Sequence, residues 1–151
     1  MQFDHIQSAS EEDFVTQSVA TLLGRLQQSI DEFGSAILGL SGGSTPKAIY
    51  TALGKEDIDW SKVFLFLVDD RYIAADDADS NQKLVRETLL MNASIPESNI
   101  IFPDTSLPLE ECISNYEANL AELLSKGIPY SVTLGLGGDG HIASLFPPVP
   151  A

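Results

Sequence analysis

Cysteine is nearly absent: Cys112 is the only one in 151 residues. A lone thiol excludes an internal disulfide and a cysteine-clustered zinc site, and it suits a reducing compartment. Cations are scarce as well. Eight Lys and Arg face 22 Asp and Glu, giving a formal charge of −14. A field of that sign repels nucleic acid and anionic membranes, so neither is expected as a partner. Long apolar runs are also missing: Val63 to Val68 and Val132 to Leu136 fall far short of the roughly 18 residues a membrane-spanning helix needs. The first ten residues include Asp4 and have no basic segment ahead of an apolar stretch, so they do not read as a secretory signal. A cytoplasmic location is expected. Two histidines, His5 and His141, make no ligand cluster with one cysteine, and neither a Walker A loop nor a Gly-x-Ser-x-Gly elbow occurs. No metal and no cofactor is expected.

What is present suffices for one core. The hydrophobic share is 44% and the charged share 20%, so residues 1–151 are expected to form a single domain. Ser10 followed by Glu11, Glu12 and Asp13 reads as an N-cap with an acidic first turn. Val15, Val19, Leu22, Leu23, Leu26, Ile30 and Phe33 then recur at helical spacing until Gly34 stops the helix. Ala36 to Leu40 reads as a strand, Ser41 to Ser44 as a loop, and Thr45-Pro46 opens a second helix. Val63 to Val68 is a strand buried on both faces that ends in Asp69-Asp70-Arg71. Ser80 caps a helical stretch through Leu84, Leu89 and Leu90. Asn99 to Phe102 is a short strand, Pro108 to Lys126 a helix stopped by Gly127, and Val132 to Leu136 a last strand. This order implies an α/β fold: a three-layer, Rossmann-like parallel sheet with helices on both faces.

Ligands of such sheets bind beyond the C-terminal ends of the strands, where three polar loops fall: Ser41 to Thr45, Asp69 to Tyr72 and Gly137 to His141. The cations Lys47, Arg71, Lys83 and Arg86 lie among these motifs, so an acidic protein can still hold an anion locally. Gly42 and Gly43 allow close approach of backbone N–H groups, and Ser44 and Thr45 offer hydroxyls at a helix N-terminus. Such a loop suits a phosphate, or it is a tight turn with a simple N-cap. Asp69-Asp70-Arg71 places two carboxylates that can accept protons or sugar hydroxyls beside an arginine that can stabilise an oxyanion, or the three form a surface ion pair or a turn. Gly135 to Gly140 matches Gly-x-Gly-x-x-Gly, but a dinucleotide site also wants an acidic residue about 20 positions on, and Asp139 would repel a pyrophosphate. The glycines therefore make room beside His141, whose ordinary titration near neutrality suits a general base unless it merely caps a helix. His5 precedes the first helix and reads as a surface residue.

Leu40-Ser41-Gly42-Gly43-Ser44-Thr45-Pro46, Val68-Asp69-Asp70-Arg71-Tyr72, Asp79-Ser80-Asn81 and Gly135 through Pro147 together closely resemble the 6-phosphogluconolactonases of the glucosamine-6-phosphate isomerase/6-phosphogluconolactonase family. The resemblance implies cofactor-free hydrolysis of 6-phosphogluconolactone, a sugar phosphate lactone, to 6-phosphogluconate in the oxidative pentose phosphate pathway. It implies His141 as the general base, Arg71 as the oxyanion stabiliser and Asp139 as the group orienting His141. Gly42, Gly43, Ser44 and Thr45 would hold the phosphate or line its pocket, with Asp70, Asn81, Gly138 and Gly140 completing the substrate site. Two departures stand out: Asp70 replaces the family's usual Glu, and family members continue well beyond Phe146-Pro147. The expected fold is thus truncated at the C-terminus, with apolar surfaces open to self-association. A deaminase/isomerase reading would want Asn-Glu-Pro after the histidine motif, where Ser144-Leu145-Phe146-Pro147 has no carboxylate. A sugar-phosphate-binding fragment without catalysis is the remaining alternative.

Overall fold

A computed structural model describes residues 4–128 and 130–148. Its elements are α1 (Glu11–Phe33), β1 (Ala36–Leu40), α2 (Pro46–Leu53), β2 (Val63–Leu67), α3 (Asn81–Glu87), β3 (Ile100–Ile101), α4 (Leu109–Leu124) and β4 (Tyr130–Val132), with single 3-10 turns ahead of β2 and β3. Local chemistry sets the boundaries. The Ser10 hydroxyl accepts the Asp13 N–H to open α1, and Gly34 closes it in the left-handed region at φ 82°. Pro46 starts α2 where its missing N–H costs nothing, and the Ser80 hydroxyl accepts the Gln82 N–H to start α3.

All four strands are parallel, in the order β3-β2-β1-β4. The two-residue alternation of β1 and β2 divides their side chains between the faces. Ala36, Leu38, Leu40, Val63, Leu65 and Leu67 pack against α1, α2 and α3 in the main core. Ile37 and Phe66, with Phe64 and Val68 beside them, meet Leu120 and Leu123 of α4 on the other face. The three layers expected from the sequence are therefore present, with three helices on one side and α4 on the other.

The strand expected at Asn99 to Phe102 is trimmed to Ile100–Ile101 and the helix expected at Pro108 to Lys126 to Leu109–Leu124, and two further elements differ more. The last strand occupies Tyr130–Val132 rather than Val132 to Leu136. Thr133 still donates its N–H to the Gly39 carbonyl, but the next β1-side donor, the Ser41 N–H, turns to the hydroxyls of Tyr50 and Thr133, and the ladder ends there. Glycines at 135, 137 and 138 then favour a loop. The helix after Ser80 ends at Glu87, so Leu89 and Leu90 lie in the following turns although Leu89 remains buried in the core. The Leu90 N–H bonds back to the Val85 carbonyl, and the Leu89 carbonyl lies so close to Gly54 that a β-carbon there would meet it at 2.5 Å.

Candidate active site

The site grows from the C-terminal ends of β1, β2 and β4. Beyond β1, none of the N–H groups of Gly42, Gly43, Ser44 and Thr45 has an acceptor among the described residues, and Thr45 does not cap α2 with its side chain. Free donors in a row ahead of a helix form a ready anion cradle. Gly42 is required sterically, because a β-carbon there would lie 1.8 Å from Asn81 Oδ1. Asn81 is buried and held by its Nδ2, which donates to the Asp69 carbonyl at 2.9 Å.

The two aspartates after β2 have different tasks. Asp70 turns into the start of α3: its Oδ1 accepts the N–H groups of Asn81 and Arg71, each at 2.8 Å, and its Oδ2 accepts the Gln82 N–H at 3.2 Å and the Ser80 hydroxyl at 3.3 Å. It shapes the site by fixing Asn81 and does not line the cavity. Asp69, which the sequence did not separate from its neighbour, does line it. Burial raises the Asp69 carboxyl above its ordinary range, with Asp70 adding to the rise while Arg71 and His141 oppose it. Arg71 also lines the cavity, and its Nη1 donates to the Asp79 carbonyl, which steadies the guanidinium.

Beyond β4, a tight turn folds the last motif back on itself. Gly140 adopts φ 89° and donates to the Gly137 carbonyl, while Gly137 donates to that of His141. A β-carbon on Gly137 would lie 2.2 Å from the His141 ring, so this glycine lets the imidazole in. Asp139 Oδ1 accepts the His141 N–H at 3.2 Å and sits 2.5 Å from Nδ1. That hydrogen bond holds the Asp139 carboxyl below its usual range. An ionised Asp139 accepts only, so Nδ1 carries the proton and Nε2 keeps the basic lone pair. Phe146 flanks the ring, with centroids 5.0 Å apart.

The three loops enclose a cavity of about 260 Å³ bordered by Gly42 to Thr45, Asp69, Arg71, Asn81, Gly137 and His141. Of the residues expected in the site, Asp139 bonds to His141 without lining the cavity, while Gly138 and Gly140 belong to the turn rather than the cavity wall. Sequence reasoning read Asp69 only as part of the Asp69-Asp70-Arg71 motif and Gly137 only as part of its glycine run, and gave neither a place of its own in the site. For Gly137 the usable signal was the glycine spacing around a histidine; for Asp69 none existed, because only the helix start at Asn81 distinguishes two adjacent aspartates. Among the described residues no group of three His, Cys, Asp or Glu converges, and no helix is long and apolar enough to cross a membrane.

Asp69→Asn tests the cost of that half-buried carboxylate. A raised folded pKa means stability that is present below the unfolded pKa and lost as pH rises through the folded one. The variant is therefore expected to melt above the parent at neutral pH, with the gap closing as pH falls through the carboxylate range. A gap independent of pH would contradict the assignment.

Fold and site together define a parallel α/β protein with a row of unpaired loop amides sharing a cavity with a carboxylate-paired histidine at the strand ends. Residues 9–151 match the family described as glucosamine-6-phosphate isomerases/6-phosphogluconolactonase, and the chain belongs to that family. A probable 6-phosphogluconolactonase of Dictyostelium discoideum is 44% identical over 144 residues, covering 93% of this chain and 61% of the relative. A 6-phosphogluconolactonase of Synechocystis is 36% identical over 143 residues, covering 91% and 60%. The crystal structure of 6-phosphogluconolactonase from Thermotoga maritima superposes with a TM-score of 0.82 at 31% identity, covering 89% of this chain and 61% of that one. The Plasmodium vivax enzyme gives 0.84 at 30%, covering 95% and 54%. The chain thus spans about three fifths of the length of these curated relatives.

Proposed function

We propose that this site hydrolyses 6-phosphogluconolactone to 6-phosphogluconate. The observation carrying the proposal is that His141, paired with Asp139, lines one cavity with Arg71 and the glycine loop whose N–H groups are free. The loop amides and the Ser44 and Thr45 hydroxyls hold the phosphate. Nε2 of His141 takes a proton from water as its oxygen attacks the lactone carbonyl, and Arg71 stabilises the oxyanion that forms. When the tetrahedral intermediate collapses, the ring C–O bond breaks and the imidazolium returns the proton to the departing ring oxygen. The product acid then ionises and releases a proton to solvent.

That proton is the assay. The purified 151-residue chain, given freshly generated 6-phosphogluconolactone, is expected to release protons faster than a protein-free blank. A rate equal to the blank from a folded chain overturns the reading for these residues. A melting temperature raised by 6-phosphogluconate in that case would leave a binding fragment. A deaminase or isomerase reading is disfavoured because Ser144, Leu145 and Phe146 place no carboxylate after His141. Self-association belongs to the proposal as well: β4 is an edge strand among the described residues, and Leu134, Leu136, Leu145 and Phe146 in the segment after it are exposed. The −14 charge supports the exclusion of nucleic acid, and the buried, free Cys112 supports a reducing, cytoplasmic setting.

A further inference from the structure

Both site loops leave the sheet at one buried junction of hydroxyl groups. Tyr50, from the second turn of α2, is fully buried and returns its hydroxyl to Ser41, the first residue of the glycine loop. The Ser41 N–H donates toward Tyr50 Oη and Thr133 Oγ1, each at 3.1 Å, and Tyr50 Oη lies 2.9 Å from the Ser41 carbonyl. Thr133, the first residue beyond β4, has its Oγ1 2.8 Å from Tyr50 Oη and 3.2 Å from the Gly39 carbonyl. Each hydroxyl has one proton, so the contacts close in one of two directions: Thr133 to Tyr50 to the Ser41 carbonyl, or Tyr50 to Thr133 to the Gly39 carbonyl. Burial pushes the Tyr50 phenol above its ordinary range, which keeps that proton in place.

The junction stands immediately ahead of both functional loops. Gly42 to Thr45 begin one residue after Ser41, and Gly135 to His141 begin two residues after Thr133. No β-ladder continues between β1 and β4 past this point, so the hydroxyls carry the last direct hydrogen bonds joining the two chain segments. Neither Tyr50 nor Thr133 lines the 260 Å³ cavity. They border a separate apolar cavity of about 400 Å³ that shares the glycine loop.

We infer that Tyr50 and Thr133 are positioning residues that set the distance between the phosphate-holding loop and the catalytic histidine. For its kinetic arm alone the inference rests on the lactonase reading. A substrate held at its phosphate by one loop and attacked from the other loses rate when their separation drifts, since a misplacement of about 1 Å can cost about 100-fold. Binding at the phosphate alone is less affected.

Tyr50→Phe and Thr133→Val remove single hydroxyls with little change of shape, and Thr133→Ser restores one. In the 151-residue chain, Tyr50→Phe is expected to shift the amide NMR resonances of Gly137 and His141, on the loop opposite the substitution. Thr133→Val is expected to shift those of Gly43 to Thr45, and Thr133→Ser to leave them near the parent positions. Where the parent turns over lactone, Thr133→Val is expected to lower kcat roughly tenfold or more with KM nearly unchanged, and Thr133→Ser to recover most of it. Resonance changes confined to the substituted residue's own loop overturn the inference whether or not the chain is active. So do a kcat equal to the parent's and a Thr133→Ser variant as impaired as Thr133→Val. A parent without turnover whose resonances still respond across the junction would sink the lactonase reading and keep this one.

Discussion

His141→Ala is expected to bring lactone hydrolysis down by about 10²- to 10⁴-fold, the usual contribution of a positioned general base, which leaves little above the spontaneous rate. The fold should survive. The His141 side chain is 37% exposed, so its removal opens no sealed cavity in the core, and its partners lie within its own turn. The proposed phosphate cradle comprises Gly42 to Thr45 and contains no atom of His141, so 6-phosphogluconate should still raise the melting temperature of the variant. Proton release together with thermal unfolding in the presence of product separates these effects. Full activity in the variant would remove His141 from the mechanism. Lost activity together with lost product binding would move its role from proton transfer to substrate contact.

Gly42→Ala should be as damaging by a different route. Its β-carbon would fall 1.8 Å from Asn81 Oδ1 and 2.3 Å from Cγ, well inside any real contact. Asn81 cannot swing away cheaply, because it is 3% exposed, its Nδ2 is bonded to the Asp69 carbonyl, and its N–H is held by Asp70. The glycine loop must move instead, at an overpacking cost of about 1–3 kcal/mol. That movement displaces the free N–H groups that the proposed phosphate contact needs. Thermal melting should show a loss of several degrees, and added 6-phosphogluconate should no longer protect. A variant that melts like the parent and keeps product protection would mean that the loop does not need its close approach to Asn81.

Both substitutions show how far the sequence could be read. The alternation in β1 and β2, the Ser10 and Ser80 caps, Pro46 at the start of α2 and Gly34 at the end of α1 are local signals. Each follows from the backbone chemistry of a few adjacent residues, and each element formed close to its expected place. The last strand did not. Its expected range followed the apolar run from Val132 to Leu136, but Thr133 inside that run meets Ser41 and Tyr50, both more than 80 positions away. Tyr50 and Thr133 take the Ser41 N–H, and the ladder stops.

Within the candidate site the same division holds. Residue order alone showed that three polar loops follow apolar strands, that glycines crowd around His141, and that His141 stands beside Asp139 in one turn. Those are short-range facts, set by side-chain type and spacing. It took the packed fold to place Asp69 toward the cavity while Asp70 serves α3, because that choice depends on where Asn81 and Gln82 arrive from 11 and 12 residues along the chain. Packing also requires that Gly42 lack a side chain, since Asn81 occupies the space a β-carbon would need. Periodicity and spacing report what neighbouring residues impose on one another, whereas the direction of a loop side chain is set by which distant groups the packed sheet brings within hydrogen-bonding reach.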